Sequence, residues 1–366
     1  MGESGKLNLT MRAISLQSSN RHYLRTYLAA GYTLFIVYAS LSPFTGWHEQ
    51  GLEFFAVLTA PLSQTYTWFD AVVNLLAYLP FGLLLGLALH ARFRAGWSVL
   101  LAALSGAALS AAMEYAQMYL PVRISSNLDL LTNTLGTLAG ALLAVGIAPR
   151  RWFALLTQWR RWLFHRGSEV DFGIALVALW MFAQINPSLP MLGNVFIREA
   201  ARQPFVTVQP APFQWLESLA VALNLLMLGA LLLTLLRQRR DAVIALVMML
   251  CAVALTKFAA AAVLLKSWAL LLWMNSEAML GIVTGLLLLS VALLLSRRAT
   301  LLLAVAVALG HLAIGFFVLD SNDPASARAI FYWRYGHLLN YNGLSQTITL
   351  VFPFLLLGYL WRVRNR

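Results

Sequence analysis

Long apolar runs broken by short polar clusters repeat along the whole chain, and each run is long enough to cross a hydrocarbon core of about 30 Å as a helix. Their bounds, set by charges or by Pro, Asn and Gly clusters, are roughly 27–43, 70–90, 97–119, 128–148, 170–187, 216–236, 242–265, 277–296, 299–319 and 344–361. This pattern predicts an all-α, polytopic transmembrane bundle of about ten helices. The first 26 residues are polar and lead into a long apolar run, so we expect no cleavable signal peptide.

Three connections promise more than a turn. Residues 150–166, RRWFALLTQWRRWLFHR, alternate Arg clusters with Trp, Phe and Leu, as an interfacial helix on an anionic leaflet would. The segments 188–215 and 320–343 are rich in Pro, Asn and aromatics. They either lie along the headgroups, the reading we prefer, or cap an outward-facing cavity. The aromatic stretch 329–343 is expected to anchor at the interface.

Composition agrees with the pattern: of 366 residues 60% are apolar and 11% charged, and the mean hydropathy is +0.74. Such a chain is not a disordered protein or a nucleic-acid-binding domain. With Cys251 its one cysteine, it forms no internal disulfide. The +12 net charge follows from topology. With a cytoplasmic N-terminus, 19 of the 26 Lys and Arg residues fall in inner segments, and cation clusters recur after every second helix. Both termini are therefore expected in the cytoplasm, and the protein in a bacterial inner membrane.

The domain reading that follows is a cytoplasmic segment 1–26, a four-helix membrane domain 27–148, a basic linker helix 149–169, a second four-helix unit 170–296, and two further helices in 297–366. The two four-helix units share a skeleton. Ser42-Pro43 matches Asn186-Pro187, Asp70 with Gly82 matches Glu217 with Gly229, and Asp129 matches Glu277, at shifts of 144 to 148 residues. This is a degenerate parallel repeat, and the second copy lacks counterparts of Glu114, Gln117 and Arg123.

Ionisable groups inside a membrane cost about 2.5–3.5 kcal/mol each at the centre on insertion scales, so their positions point to function. Nearly all of them lie in the first unit. Asp70, Asn74 and Tyr78 fall on one stripe of the second apolar segment, followed by Pro80, which should bend the helix and leave a carbonyl for a neighbour. Ser110, Glu114 and Gln117 form a stripe on the third, Arg123, Ser125 and Ser126 lie in the link, and Asp129 and Asn133 open the fourth. Gly82, Gly86, Gly136 and Gly140 fit close helix packing. Glu114 needs a partner or a proton, and Arg123 is the nearest cation in sequence.

These residues, D70xxxN74xxxxxP80xG82, S110xxxE114xxQ117, Arg123 and D129xxxN133xxG136, preceded by S42P43, resemble the VanZ-like family of bacterial membrane proteins over about residues 25–148. The resemblance implies a four-helix membrane domain whose founding member is associated with lowered susceptibility to the glycopeptide teicoplanin. Its polar positions fall on Asp70, Asn74, Glu114, Gln117, Arg123, Asp129 and Asn133, without established catalytic roles. Teicoplanin acts outside the cytoplasmic membrane on lipid-linked wall precursors, and the polar constellation is expected near the outer face.

Elsewhere, His48, His90, His311 and His337 are scattered without metal-ligand spacing, so no metal is expected. No GxxxxGK[ST] or GxGxxG phosphate loop occurs, and no cofactor is expected. Lys257 and Lys266 are expected to snorkel to the interface or pair with Glu277. The leading functional reading is an outward-facing polar pocket of the cell envelope, with membrane lipid, a lipid-linked envelope precursor or an amphipathic antibiotic as partner. A membrane-embedded acid/base enzyme and a proton-coupled transporter stay open beside it, as does a scaffold whose polar groups only join helices.

Overall fold

The computed structural model describes residues 23–42, 44–59, 68–121, 123, 125–193, 213–319 and 336–364, without the side chains of 152, 316–319 and 336–342. Its helices are α1 Leu24–Leu41, α2 Phe54–Thr59, α3 Trp68–His90, α4 Ala95–Gln117, α5 Asn127–Ile147, α6 Arg151–Leu163, α7 Ser168–Gln184, α8 Trp215–Leu235, α9 Arg239–Leu264, α10 Ser276–Ala292, α11 Arg297–Leu319 and α12 Gly336–Val363. Every apolar run read from the sequence is a helix. Among the described residues, seven helices are long and apolar enough to cross a membrane, fewer than the ten expected, and α10 is a shorter apolar one. The chain is a multi-pass, all-helical membrane protein.

Two compact units divide it, residues 1–162 and 163–366. The boundary falls within α6, so the basic linker helix belongs almost wholly to the first unit.

Unit 1 is organised by α3 against α5, whose backbones touch. A Cβ on Gly82 would lie 2.0 Å from the Thr137 carbonyl oxygen, one on Gly136 2.3 Å from that of Leu75, and one on Gly140 2.0 Å from that of Leu79. Glycine at these positions is therefore a packing requirement, as the small-residue pattern predicts. On the other flank Thr137 fills the space beside Gly106 of α4. Pro80 lies inside α3, and the Tyr32 hydroxyl of α1 donates to the Ala77 carbonyl at 2.8 Å, in the turn that the proline disrupts. Ile36, Tyr78 and Phe81 form the apolar core between α1 and α3.

One end of unit 1 is marked by Arg25, which donates to the Leu87 carbonyl at 3.2 Å and lies over the Phe153 ring of α6. Leu155, Leu156, Trp159 and Trp162 of α6 are exposed, an apolar stripe that fits a headgroup boundary. At the other end, α2 was not expected from the sequence. Gln50 donates to the Met118 carbonyl, the amide of His48 donates to the Tyr119 carbonyl, and Phe54 packs edge-on against Tyr115. The segment 44–59 thus closes over the end of α4.

Unit 2 is built around α8, which is apolar on all sides and buried along most of its length. It packs against α7, α9, α10 and α11, while α12 packs against α7 and α11. Two sequence expectations change here. Residues 186–193, which include the described start of the segment 188–215, are buried rather than spread along headgroups. Their turn is held by Gln184, which accepts from the Leu192 amide, and by the Met191 amide, which donates to the Trp273 carbonyl. The rest of that segment, the aromatic stretch up to residue 335 and the N-terminal 22 residues lie outside the described residues.

Lys257 likewise neither snorkels nor pairs with Glu277. It is fully buried and its Nζ donates to the Asn186 carbonyl at 2.5 Å. A buried ammonium requires an acceptor, and the inward-folded turn after α7 provides one.

Candidate functional site

The seven polar positions of unit 1 fall at the end of the bundle closed by segment 44–59, and they separate by what they touch. Gln117 and Arg123 hold the end of α1. Gln117 donates to the Ser40 carbonyl at 3.0 Å, and Arg123 donates through Nη2 to the carbonyls of Ala39 at 2.9 Å and Ser42 at 3.2 Å. Carbonyls of a last helical turn have no partner within the helix, and a cation there also complements the helix dipole. Burial lowers the Arg123 pKa below its ordinary value, and the guanidinium stays charged.

This arrangement overturns the expected Glu114–Arg123 pair. The Glu114 carboxylate instead accepts the Ser126 amide at 2.8 Å, and Ser125 donates to the Glu114 carbonyl oxygen. The chain after Pro121 turns so that the start of α5 meets α4, bringing an unpaired helix-entry amide to the acid. Ser126 completes the start of α5, its hydroxyl accepting from the Leu128 amide. Glu114, at 3% exposure, is thus tied to the entry of the helix that carries Asp129.

Deeper along the same stripe, Asn133 donates to the Ser110 hydroxyl at 3.0 Å. The Asn133 Oδ1 is buried and has no donor among the described residues. The Tyr78 hydroxyl lies close to Ser110 and within electrostatic reach of Glu114 and Asp129.

Nearest that end are Asp70, Asn74 and Asp129, all half-buried. Asn74 donates to Asp129 Oδ1, joining α3 to α5 above their glycine contact. Asp70 is one turn earlier on the Asn74 stripe. The structure therefore grades the constellation from capping residues, through a buried core of Glu114, Ser110 and Asn133, to a half-exposed rim that carries two carboxylates. Burial close to the rim raises the worth of each hydrogen bond, because water competes less there.

Residues 10–149 match the VanZ/LLP1 family. This part of the chain is a VanZ-like domain. The match begins before α1 and runs to the end of α5, so it takes in the whole constellation and stops short of unit 2. No curated protein and no solved structure matches the chain.

Within the VanZ-like domain, three contributors escaped the sequence reading. Tyr32, Gln50 and the amide of His48 each satisfy a carbonyl on another segment. Tyr32 had a readable signal, since a hydroxyl inside an apolar run must find an acceptor and Pro80 advertises one. Gln50 and His48 had none, because their partners are main-chain carbonyls some seventy residues away. Among the described residues, no three His, Cys, Asp or Glu side chains converge in a way that would hold a metal ion.

Proposed function

We propose that the VanZ-like domain recognises the polar head of an amphipathic envelope molecule at the outer face of a bacterial inner membrane. The observation that carries this reading is the acceptor-rich stripe of α3 and α5. Asp70 and Asp129 stand half-exposed at one end of it, and the side-chain Oδ1 of Asn133 lies beneath them without a donor among the described residues. Acceptors so arranged select a ligand that presents donors, such as sugar hydroxyls or an ammonium group. An amide oxygen buried without a donor costs about 1–3 kcal/mol, which a bound hydroxyl or amine would recover.

In this reading Asp129 and Asp70 contact the headgroup, and Asn74 orients Asp129. Glu114 fixes the entry of α5, while Gln117 and Arg123 are positioning residues that keep α1 against the site. Lipid-linked wall precursors and glycopeptide antibiotics both carry sugars and amines on an apolar anchor, so both fit this chemistry. A role in teicoplanin-type resistance follows if the bound molecule is one of them.

The test uses Asp129→Asn and Asp70→Asn, which keep side-chain shape and the acceptor for Asn74 while removing charge. Cells carrying either variant at wild-type membrane abundance are challenged with glycopeptides and envelope stress. Lost protection at constant abundance is the expected result. Unchanged protection in the double variant would end the proposal.

A further inference from the structure

Unit 2 contains a feature that the proposed function does not use. At the end of the bundle opposite the buried turn 186–193 there is a cavity of about 570 Å³, within the range of about 300–1,000 Å³ typical of small-molecule sites. Its polar lining includes Arg166, Arg237, Arg239, Arg297, His165 and Thr300, and among the described residues no Asp or Glu lines it.

The guanidinium groups meet only neutral partners. Arg237 donates to the Phe164 carbonyl at 3.0 Å, and Arg297 to the Val363 carbonyl at 3.3 Å. Arg239 donates to the carbonyls of Leu293 and Leu295 and to the Thr300 hydroxyl. Arg166 donates to no described residue, and none of the four is in an ion pair among the described residues. Four like charges around one concavity repel unless a counter-charge joins them.

The fold sets these groups in place. An antiparallel bridge joins Phe164 to Leu236, with the His165 amide donating to Leu235 and the Arg237 amide to Leu163. The two strands of chain that carry Arg166 and Arg237 are thereby locked together, which lowers the ordering cost of binding. The first turns of α7, α9 and α11 open beside the same cavity and add their partial positive charge. Arginines that only set topology would project singly into water. Here they converge on one concave space.

We propose that this cavity binds a phosphate-bearing anion, with Arg166, Arg237, Arg239 and Arg297 as its donors. Arg forks match phosphate oxygens in geometry as well as charge. The Lys and Arg distribution assigns this end of the bundle to the cytoplasmic side, where both lipid phosphodiesters and soluble phosphates are within reach.

The experiment uses the full-length protein in nanodiscs at fixed ionic strength, and reads the unfolding temperature. One arm compares phosphatidylglycerol with phosphatidylcholine discs. The other adds sodium pyrophosphate or sodium chloride to phosphatidylcholine discs. Wild type should gain about 3 °C or more with at least one anion. Arg166→Gln, which breaks no hydrogen bond to a described residue, and Arg166→Gln/Arg237→Gln should lose at least half of that gain. Arg92→Gln/Arg94→Gln, on the VanZ-like domain, should keep it. A gain with phosphatidylglycerol alone assigns a lipid headgroup, and one with pyrophosphate alone a soluble phosphate. No gain in either arm, or an equal gain in wild type and the Arg166 variants, would overturn the proposal.

Discussion

The two units solve the same packing problem and dispose of their polar groups in opposite ways. In the VanZ-like domain, α3 and α5 meet through Gly136 against the Leu75 carbonyl and Gly140 against that of Leu79. In unit 2, α8 and α10 meet through Gly281 against the Ser218 carbonyl and Gly285 against that of Ala222. Beyond that pair the packing departs: α4 lies against α5, whereas in unit 2 it is α11 that takes a flank of α8.

The polar groups divide accordingly. Asp70, Asn74 and Asp129 stay half-exposed at one end of the VanZ-like domain, while Gln184, Asn186, Asn224, Glu217 and Lys257 are sealed behind the turn 186–193. Trp180 donates to Asn224, and Asn224 donates in turn to the Leu192 carbonyl. On the proposed reading, a polar residue within a membrane marks a binding site only where the fold leaves it partly exposed. Where the chain folds back over it, the same residue type serves the structure.

Four tests press on this contrast. The largest effect belongs to the glycine contacts. Gly140→Ala places a Cβ 2.0 Å from a backbone oxygen and should cost about 2–3 kcal/mol. Gly285→Ala, with 3.2 Å available, should cost about 1 kcal/mol or less. Thermal unfolding in detergent compares them, and equal losses would mean that the two helix pairs are not packed differently.

Next comes Glu114→Ala, which strips the Ser126 amide of its acceptor and should cost about 1–3 kcal/mol. Glu114→Gln keeps an acceptor there and should cost under about 1 kcal/mol. If the Gln variant loses as much folded protein as the Ala variant, the charge itself holds the bundle together.

Arg123→Ala leaves the Ala39 and Ser42 carbonyls without their donor and should destabilise by about 1 kcal/mol, with part of the loss restored in Arg123→Lys. Because this role is positional, ligand affinity should fall in Arg123→Ala and recover with Lys in step with stability. The smallest effect is expected at Lys257→Met in unit 2. A buried ion exchanged for an apolar chain of similar size is often neutral or stabilising, so its unfolding temperature should stay level or rise. A clear fall, together with lost protection of the host, would give unit 2 a functional cation and blur the contrast.

Much of this was legible beforehand because membrane physics writes it into long patterns. The apolar run lengths located the helices, although of the ten runs only seven form helices long and apolar enough to span among the described residues, and glycines at Gly82, Gly136 and Gly140 gave the tight face of α3 and α5. The amphipathic Arg and Trp stripe gave α6. Partners were less legible than positions. Glu114 found a backbone amide twelve residues away and not the Arg123 side chain, since a turn that brings α5 to α4 leaves no trace in side-chain chemistry. Lys257 was misread for the same reason, its acceptor being a carbonyl on a turn that folds inward. The helix α2 is six residues of aromatic and apolar chain, too short for periodicity to separate from a loop.

The most direct test of the central claim is a binding titration of purified full-length protein, wild type against Asp129→Asn, with teicoplanin and with a lipid-linked disaccharide-pentapeptide wall precursor. The account predicts saturable binding of at least one of them and a loss of tenfold or more, about 1.4 kcal/mol, in the variant at unchanged unfolding temperature. Equal affinity in the two proteins, or binding of neither molecule, would contradict it.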